Sequence, residues 1–308
     1  MSSLLHPDVA ARAADLAREF SAAEPFRHVV IDGFLDPQFC QELIDQFPPF
    51  ESGDARNESG ELAGKSVIPD IARLGGPYRR FDALMRDREF LALMGRITGI
   101  ADLLYDADYV GGGTHENREG QELDSHVDFN FHPRLGWHRR LNLIVFLNQE
   151  WDEDWGGCLE LLREPMAEGA DARKIVTPKA NRAVIFETTE SSWHGFRVIR
   201  TPAGVTRKSL AVYFYTRARP PAEIVAPHGT FYYQRPLPEH LQPGYTLRES
   251  DVAEIRKLFA RRDGQIRYLY ERELEFSEVM ETIRQWSAFR LAMALTWPAR
   301  ALKRALGK

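Results

Sequence analysis

LDSHVDFNF, residues 123–131, decides how this chain is to be read. As an extended strand it alternates faces: His126, Asp128 and Asn130 point one way, Val127, Phe129 and Phe131 the other. Such a strand lines a cavity with its polar face and packs a core with its apolar one. A histidine and a carboxylate two apart on it can also converge on one metal ion. The triplet alone is weak, since roughly half of one H-x-D is expected by chance at this length and composition. His6-Pro7-Asp8 repeats the form in what reads as a helical lead-in, and there it is expected to be solvated.

A third ligand has to come from a distant strand of the same sheet. The best source is NRAVIFETTESSWHGFRVI (181–199), an apolar strand and a polar turn followed by His194. Thirteen residues later Arg207 opens RKSLAVYFYT (207–216), in which Arg207, Ser209, Ala211 and Tyr213 share one face. An arginine on the inner face of an apolar strand is costly unless it meets an anion, and a guanidinium fork suits a carboxylate. Two histidines and one carboxylate on a triangular face of an ion are the arrangement for non-haem Fe(II) that activates oxygen.

The rest of the chain sets the frame. With 308 residues, 44% hydrophobic and 28% charged at a net charge of -5, it has an ordinary globular composition and no basic signature for nucleic acid. No run approaches the ~18 apolar residues of a membrane span, and the N-terminus does not read as a secretory signal. Cys40 and Cys158 are expected to be two buried reduced thiols in a cytoplasmic protein. A helix is expected over 2–20, a strand over 26–35, a helix over 36–47 capped by Asp36, a loop over 47–66 and a helix over 78–99. From 100 to 216, at least six short strands without intervening helices argue for an antiparallel sandwich or barrel. Helical patterns return in DVAEIRKLFARR and IRYLYERELEFSEVMETIRQW, which sets a boundary between 1–230 and 231–308. The tail, 284–308, carries six positive charges and no acid among large apolar residues. It suits a helix packed on the β core, peripheral contact with the inner face of a membrane, or a homodimer contact.

Over residues 26–216 the chain resembles the Fe(II)/2-oxoglutarate-dependent dioxygenases, in particular the prolyl-hydroxylase-like branch. The likeness runs through FRHVVIDGFLDPQFCQELIDQFP, the H-x-D, LNLIVFLNQEWDEDWGGCLEL with Trp151 and Gly156-Gly157, TPKANRAVIFET, His194 and the R-x-S strand from Arg207. It implies a double-stranded β-helix (jelly-roll) core, mainly β, with flanking helices and a helical C-terminal extension. It makes His126, Asp128 and His194 ligands of Fe(II), and Arg207 the partner of the far carboxylate of 2-oxoglutarate. Ser209 and Tyr109 become further cosubstrate contacts, while Phe146 stands where relatives place a tyrosine. The implied activity couples O2 and decarboxylation of 2-oxoglutarate to succinate with hydroxylation of a C–H bond. Residues 111–125 are expected to form a mobile loop over the site, so that His115, Asn117 and Arg118 could meet substrate, as could His132, Arg134 and His138. The rival readings are a non-catalytic jelly-roll binding module and a cupin-like metalloprotein that uses no 2-oxoglutarate. Neither needs a complete triad together with Arg207. The resemblance points to a protein or peptide substrate, the basic tail fits a glycan or lipid-linked sugar, and a small molecule stays open.

Overall fold

The computed structural model describes residues 3–50, 53–56, 62–165 and 173–287. The chain divides between Tyr233 and Gln234 into two compact units. The first opens with α1 (Pro7–Ala11), α2 (Ala13–Ala22), β1 (His28–Asp32) and α3 (Pro37–Asp45). Strands β2 (Asp54–Arg56) and β3 (Leu62–Ile68) follow, then α4 (Gly76–Met85) and α5 (Arg88–Thr98). The remaining strands are β4 (Leu104–Tyr105), β5 (Gly113–Asn117), β6 (Leu123–Val127), β7 (His138–Phe146), β8 (Leu159–Leu162), β9 (Arg173–Val176), β10 (Arg182–Glu187), β11 (Trp193–Phe196), β12 (Arg207–Thr216) and β13 (Phe231–Tyr232). Among its described residues the second unit carries one long helix, α6 (Glu249–Gln285).

The strands form two antiparallel sheets. The larger has the order β1-β10-β7-β12-β5-β3-β2, with β4 on β12; the smaller has the order β13-β6-β11-β8-β9. This is the mainly β, jelly-roll architecture with flanking helices. Alternation along β7 and β12 sorts their side chains between two cores. Leu141, Leu143 and Val145, with Leu210, Val212 and Phe214, pack among α2, α3, α4 and α5. Phe146 faces the smaller sheet, where it meets Leu159, Leu161 and Val176 together with Val184 and Phe186 of β10. The sheets are thus closed together by apolar residues at one end, and the polar members of the same inner face are left to line the other.

Several local expectations change. The single N-terminal helix is two, joined at Arg12; His6-Pro7-Asp8 is solvated as expected, and His6 also serves locally, its Nδ1 accepting from the Asp8 amide to cap α1. The 78–99 helix is also two, because Asp87 caps a new start by accepting from the Phe90 amide at 2.9 Å. The presumed loop over 47–66 contains β2 and the start of β3. Residues 111–125 are β5, a turn and the start of β6 rather than a mobile loop; β5 is hydrogen-bonded on both sides, to β12 and β3. The two C-terminal helices are one: Gly264 does not break α6, since a glycine costs only ~1 kcal/mol amid good helix formers. Cys40 and Cys158 are free and buried. Among the described residues no helix is long and apolar enough to cross a membrane. The basic tail lies almost wholly outside the described residues.

Candidate metal and 2-oxoacid site

The pairing of β6 with β11 sets His194 directly opposite His126, with ring centroids 4.2 Å apart. Strand β6 ends at Val127, and Asp128 follows it directly, with its carboxylate on the side of His126. One donor atom from each of His126, Asp128 and His194 lies within 4.8 Å of the other two. His126 Nε2 is 3.7 Å from Asp128 Oδ1, and His194 Nε2 is 3.4 Å from Asp128 Oδ2. Each imidazole donates its other nitrogen to a backbone carbonyl two residues upstream: His126 Nδ1 to Asp124 at 2.9 Å, His194 Nδ1 to Ser192 at 3.0 Å. Those bonds fix the tautomer and leave both Nε2 lone pairs aimed at one point, the way metal-ligating histidines are held. The donor set fits a divalent ion such as Fe(II).

Burial sets the protonation states. It lowers the pKa of His126, against the opposing pull of Asp128, and lowers that of His194 to about 4, with His126 adding to the effect. Both rings are therefore neutral at pH 7 and ready to ligate. Burial by itself would raise Asp128, but the Arg139 guanidinium and the neighbouring imidazoles outweigh it and hold the carboxyl well below its usual range. With the histidines neutral, Arg139 is the partner that counts. Its Nη2 donates to Asp128 Oδ2 at 2.9 Å, and Asn142 Nδ2 donates to the same oxygen at 2.7 Å. Arg139 also donates to Asn142 Oδ1 from Nε and Nη2, and its guanidinium lies 3.6 Å from the Tyr213 ring centroid and 4.4 Å from that of Phe129.

The triad opens on a cavity of about 380 Å³ whose lining includes Arg207, Ser209, His115, Asn117 and Tyr232. Arg207 is 4% exposed. Its Nε donates to the Gly157 carbonyl at 2.6 Å, and its guanidinium lies between Phe196 at 4.4 Å and Phe146 at 5.0 Å. Among the described residues it has no carboxylate within ion-pair distance. Burial accordingly pushes its pKa down to about 10, whereas Arg139, as deeply buried but paired with Asp128, is pushed up. Gly156 and Gly157 make this seat possible. Both have left-handed φ, +68° and +65°; a Cβ on Gly156 would sit 2.2 Å from the Val198 oxygen, and one on Gly157 2.9 Å from Ile199 and Trp151.

Five of the six anticipated site residues line this cavity: His126, Asp128, His194, Arg207 and Ser209. Tyr109 does not. Its phenol donates to Asp82 Oδ1 at 3.2 Å, because Asp106 bends the chain by accepting from the amides of Asp108 and Val110 and turns Tyr109 toward the helices. A cosubstrate contact through Tyr109 is therefore replaced by a structural one. His115 and Asn117 reach the cavity wall from β5, while Arg118 stacks on Phe50. His132, Arg134 and His138 are not in the lining. His132 belongs with Asp106 and Asp108 to a second potential cluster, but its donors are spent: Nδ1 accepts from the Arg134 and Leu135 amides and Nε2 faces Asp106 Oδ1. Sequence reasoning overlooked Arg139 and Asn142, although an asparagine inside LNLIVF is as conspicuous as an arginine heading an apolar strand.

Residues 112–215 match the family model of the 2OG-Fe(II) oxygenase superfamily, a segment that includes the triad, Arg207 and Ser209. The prolyl 3-hydroxylase OGFOD1 of Mus musculus is 22% identical over an alignment of 282 residues that covers 84% of this chain and 46% of that protein. The chain thus spans about half the length of the curated relative it matches. Among solved structures, a Trichoplax adhaerens prolyl hydroxylase in complex with a hypoxia inducible factor peptide fragment overlaps at TM-score 0.49 and 14% identity, covering 68% of this chain and 90% of that one. A Pseudomonas putida prolyl-4-hydroxylase gives 0.45 and 17%, covering 67% and 100%. HygX from Streptomyces hygroscopicus, with nickel, 2-oxoglutarate and hygromycin B bound, gives 0.47 and 14%, covering 70% and 95%. These overlaps are partial and carry nothing about the site, which stands on its own geometry. Through residues 112–215 the chain is similar to the 2OG-Fe(II) oxygenase superfamily, and over most of its length it resembles a prolyl hydroxylase.

Proposed function

We propose that this protein is a 2-oxoglutarate-dependent non-haem iron hydroxylase in which His126, Asp128 and His194 hold Fe(II) and Arg207, with Ser209 beside it, holds the far carboxylate of 2-oxoglutarate. One observation carries the proposal. A three-donor cluster with both imidazole tautomers fixed shares a cavity with a buried arginine that, among the described residues, has no carboxylate of its own. A cupin-like metal protein accounts for the first half of that and not the second, because an unpaired buried cation is a cost that only an anionic ligand offsets.

Iron, when bound, supplies the redox chemistry that couples loss of CO2 from 2-oxoglutarate to insertion of one atom of O2 into a substrate C–H bond. The chain's own residues do the rest. The backbone carbonyls of Asp124 and Ser192 hold the imidazoles in register, and Arg139 with Asn142 holds Asp128 through Oδ2. Phe146 and Phe196 strip water from Arg207, so that its bonds to a carboxylate act in a low dielectric. The cavity volume is near the lower end of the ~300–1,000 Å³ common for ligand sites. That leaves room for a five-carbon diacid and one substrate side chain.

A protein or peptide side chain, prolyl first, is the substrate class we favour, on the strength of the prolyl 3-hydroxylase relative and this small cavity. A cytoplasmic setting agrees with the two free buried thiols. The catalytic unit is assigned to the N-terminal part of the chain, ending near residue 230, with 231–308 an extension. The test is anaerobic titration with Fe(II) and 2-oxoglutarate, monitored by the visible charge-transfer absorption of the chelate. The band should vanish in His126→Ala and need far more 2-oxoglutarate in Arg207→Ala. Its absence from the unmutated protein, with metal demonstrably bound, would overturn the assignment.

A further inference from the structure

Helix α6 carries large apolar side chains in solvent: Phe259, Ile266, Leu269 and Phe276 are 52%, 58%, 50% and 64% exposed. Their spacing of seven, three and seven residues is the a/d period of a coiled-coil seam. Continued toward the N-terminus the seam reaches Ile255 and Val252; toward the C-terminus it reaches Met280 and Ile283. It is interrupted at two positions only, Arg262 and Glu273, which carry opposite charges and are both exposed. An a/d repeat apolar at eight of its ten positions from Val252 to Ile283, on a helix whose exposed Tyr270, Leu274 and Val279 lie outside it, is a surface suited to another helix.

We propose that α6 pairs with α6 of a second copy of this chain, as an antiparallel coiled coil centred between Arg267 and Tyr268. The two charged seam positions select partner, direction and register together. In a parallel pair each seam residue meets its twin, so Arg262 would face Arg262 and Glu273 would face Glu273. In the antiparallel pair, positions a and d face one another, and Arg262 and Glu273 lie equally far from the centre. Arg262 of one copy then meets Glu273 of the other, twice by symmetry. The same centre sets Ile266 against Leu269, Phe259 against Phe276 and Ile255 against Met280, apolar on apolar throughout. A shift of one heptad in either direction sets both charges against apolar side chains, where each would be buried unpaired. Gly264 falls at position f, on the side away from the seam. Neither residues 288–308 nor a lipid surface would require two opposite charges placed symmetrically about one point; a second copy does. The inference is independent of the catalytic reading.

The experiment is sedimentation velocity on the full chain, which should show a dimer. Arg262→Glu sets glutamate against glutamate in both symmetric layers and should raise the dissociation constant roughly 100-fold or more; Glu273→Arg should do the same with arginines. The double variant should restore wild-type affinity. All three should keep wild-type helicity by circular dichroism, because both side chains are exposed. Spin labels on Glu278→Cys, with Cys40 and Cys158 buried, should sit ~32 Å apart along the axis, against less than ~20 Å in a parallel pair. A dimer indifferent to Arg262→Glu, or a short label distance, would overturn the proposal. So would a wild-type monomer, whether its seam is found covered by residues 288–308 or by added lipid vesicles.

Discussion

Replacing Arg207 by methionine should weaken 2-oxoglutarate binding and stabilise the ligand-free protein, two effects of opposite sign from one change. The guanidinium is 4% exposed and its pKa is depressed from 12.5 to about 10 by burial. That gap corresponds to a penalty of about 3 kcal/mol for holding the charge in the folded state. Because the folded value is depressed, the penalty is constant at neutral pH and is relieved only as pH rises through about 10. Methionine fills the space of the aliphatic stem and removes the charge. It also forfeits the bond to Gly157 and the contacts with Phe146 and Phe196, together about 2 kcal/mol. A net gain of about 1 kcal/mol should raise Tm by about 2–4 °C in differential scanning calorimetry of the metal-free protein. In the anaerobic titration, losing one member of a buried charge pair costs about 2 kcal/mol or more, hence at least ~30-fold in Kd. A variant that melts lower than wild type and binds 2-oxoglutarate as tightly would refute the reasoning and make Arg207 a structural residue.

Two further predictions concern the triad. Asn142→Leu removes a donor to Asp128 Oδ2 and an acceptor from Arg139 with little change of volume, so Fe(II) affinity should fall about 10–100-fold in a metal titration. An unchanged affinity would mean that Arg139 alone orients the carboxylate. For pH, burial holds His194 at about 4 and lowers His126 and His115. A histidine whose folded pKa lies below its unfolded 6.5 costs stability as acid protonates the unfolded chain first. Urea unfolding of the metal-free protein should therefore give constant stability above pH 6.5 and a steady loss toward pH 4, to which His194 alone contributes about 3 kcal/mol. A flat profile between pH 6.5 and 4.5 contradicts those protonation states.

What could be read from the sequence was whatever left an amphipathic trace. Strand β12 is legible because Leu210, Val212 and Phe214 alternate with the cavity residues, and the same alternation placed Arg207 and Ser209 correctly relative to each other. Strand β5 left no trace: Gly113–Asn117 has no large apolar residue, yet all five positions are buried, because β3 and β12 satisfy its backbone on either side. Strands of two to four residues such as β4, β11 and β13 are too short for any period to show. Tyr109 was misplaced because LLYDADYVG looks extended, whereas Asp106 closes a turn within it and Tyr109 takes a left-handed φ of +47°. The rule that flagged Arg207, that a polar group in an apolar strand needs a partner, would have found Arg139 and Asn142 had it been applied to β7.

The two buried arginines also predict how metal and diacid depend on each other. Lys65, Glu122, Asp128, Arg139 and Arg207 are the charged residues of the cavity lining, and with neutral histidines they leave it one positive charge in excess. Asp128 is the only carboxylate in the triad, and its charge is already engaged by Arg139. A divalent ion entering alone would bring the lining to three positive charges in a water-poor space. A dianion entering with it restores the original excess of one. Metal and 2-oxoglutarate should therefore each tighten the other, and by the same factor, since coupling between two bound ligands is reciprocal; about 5–150-fold is the usual range. Isothermal titration of Mn(II) with and without 2-oxoglutarate, and of 2-oxoglutarate with and without Mn(II), measures both arms. In Arg207→Met the lining starts neutral and the diacid loses its anchor, so the factor should shrink toward one. Equal 2-oxoglutarate affinity with and without metal in the unmutated protein would mean that Arg207 binds its anion without reference to the triad, and that the two halves of the site are not one site.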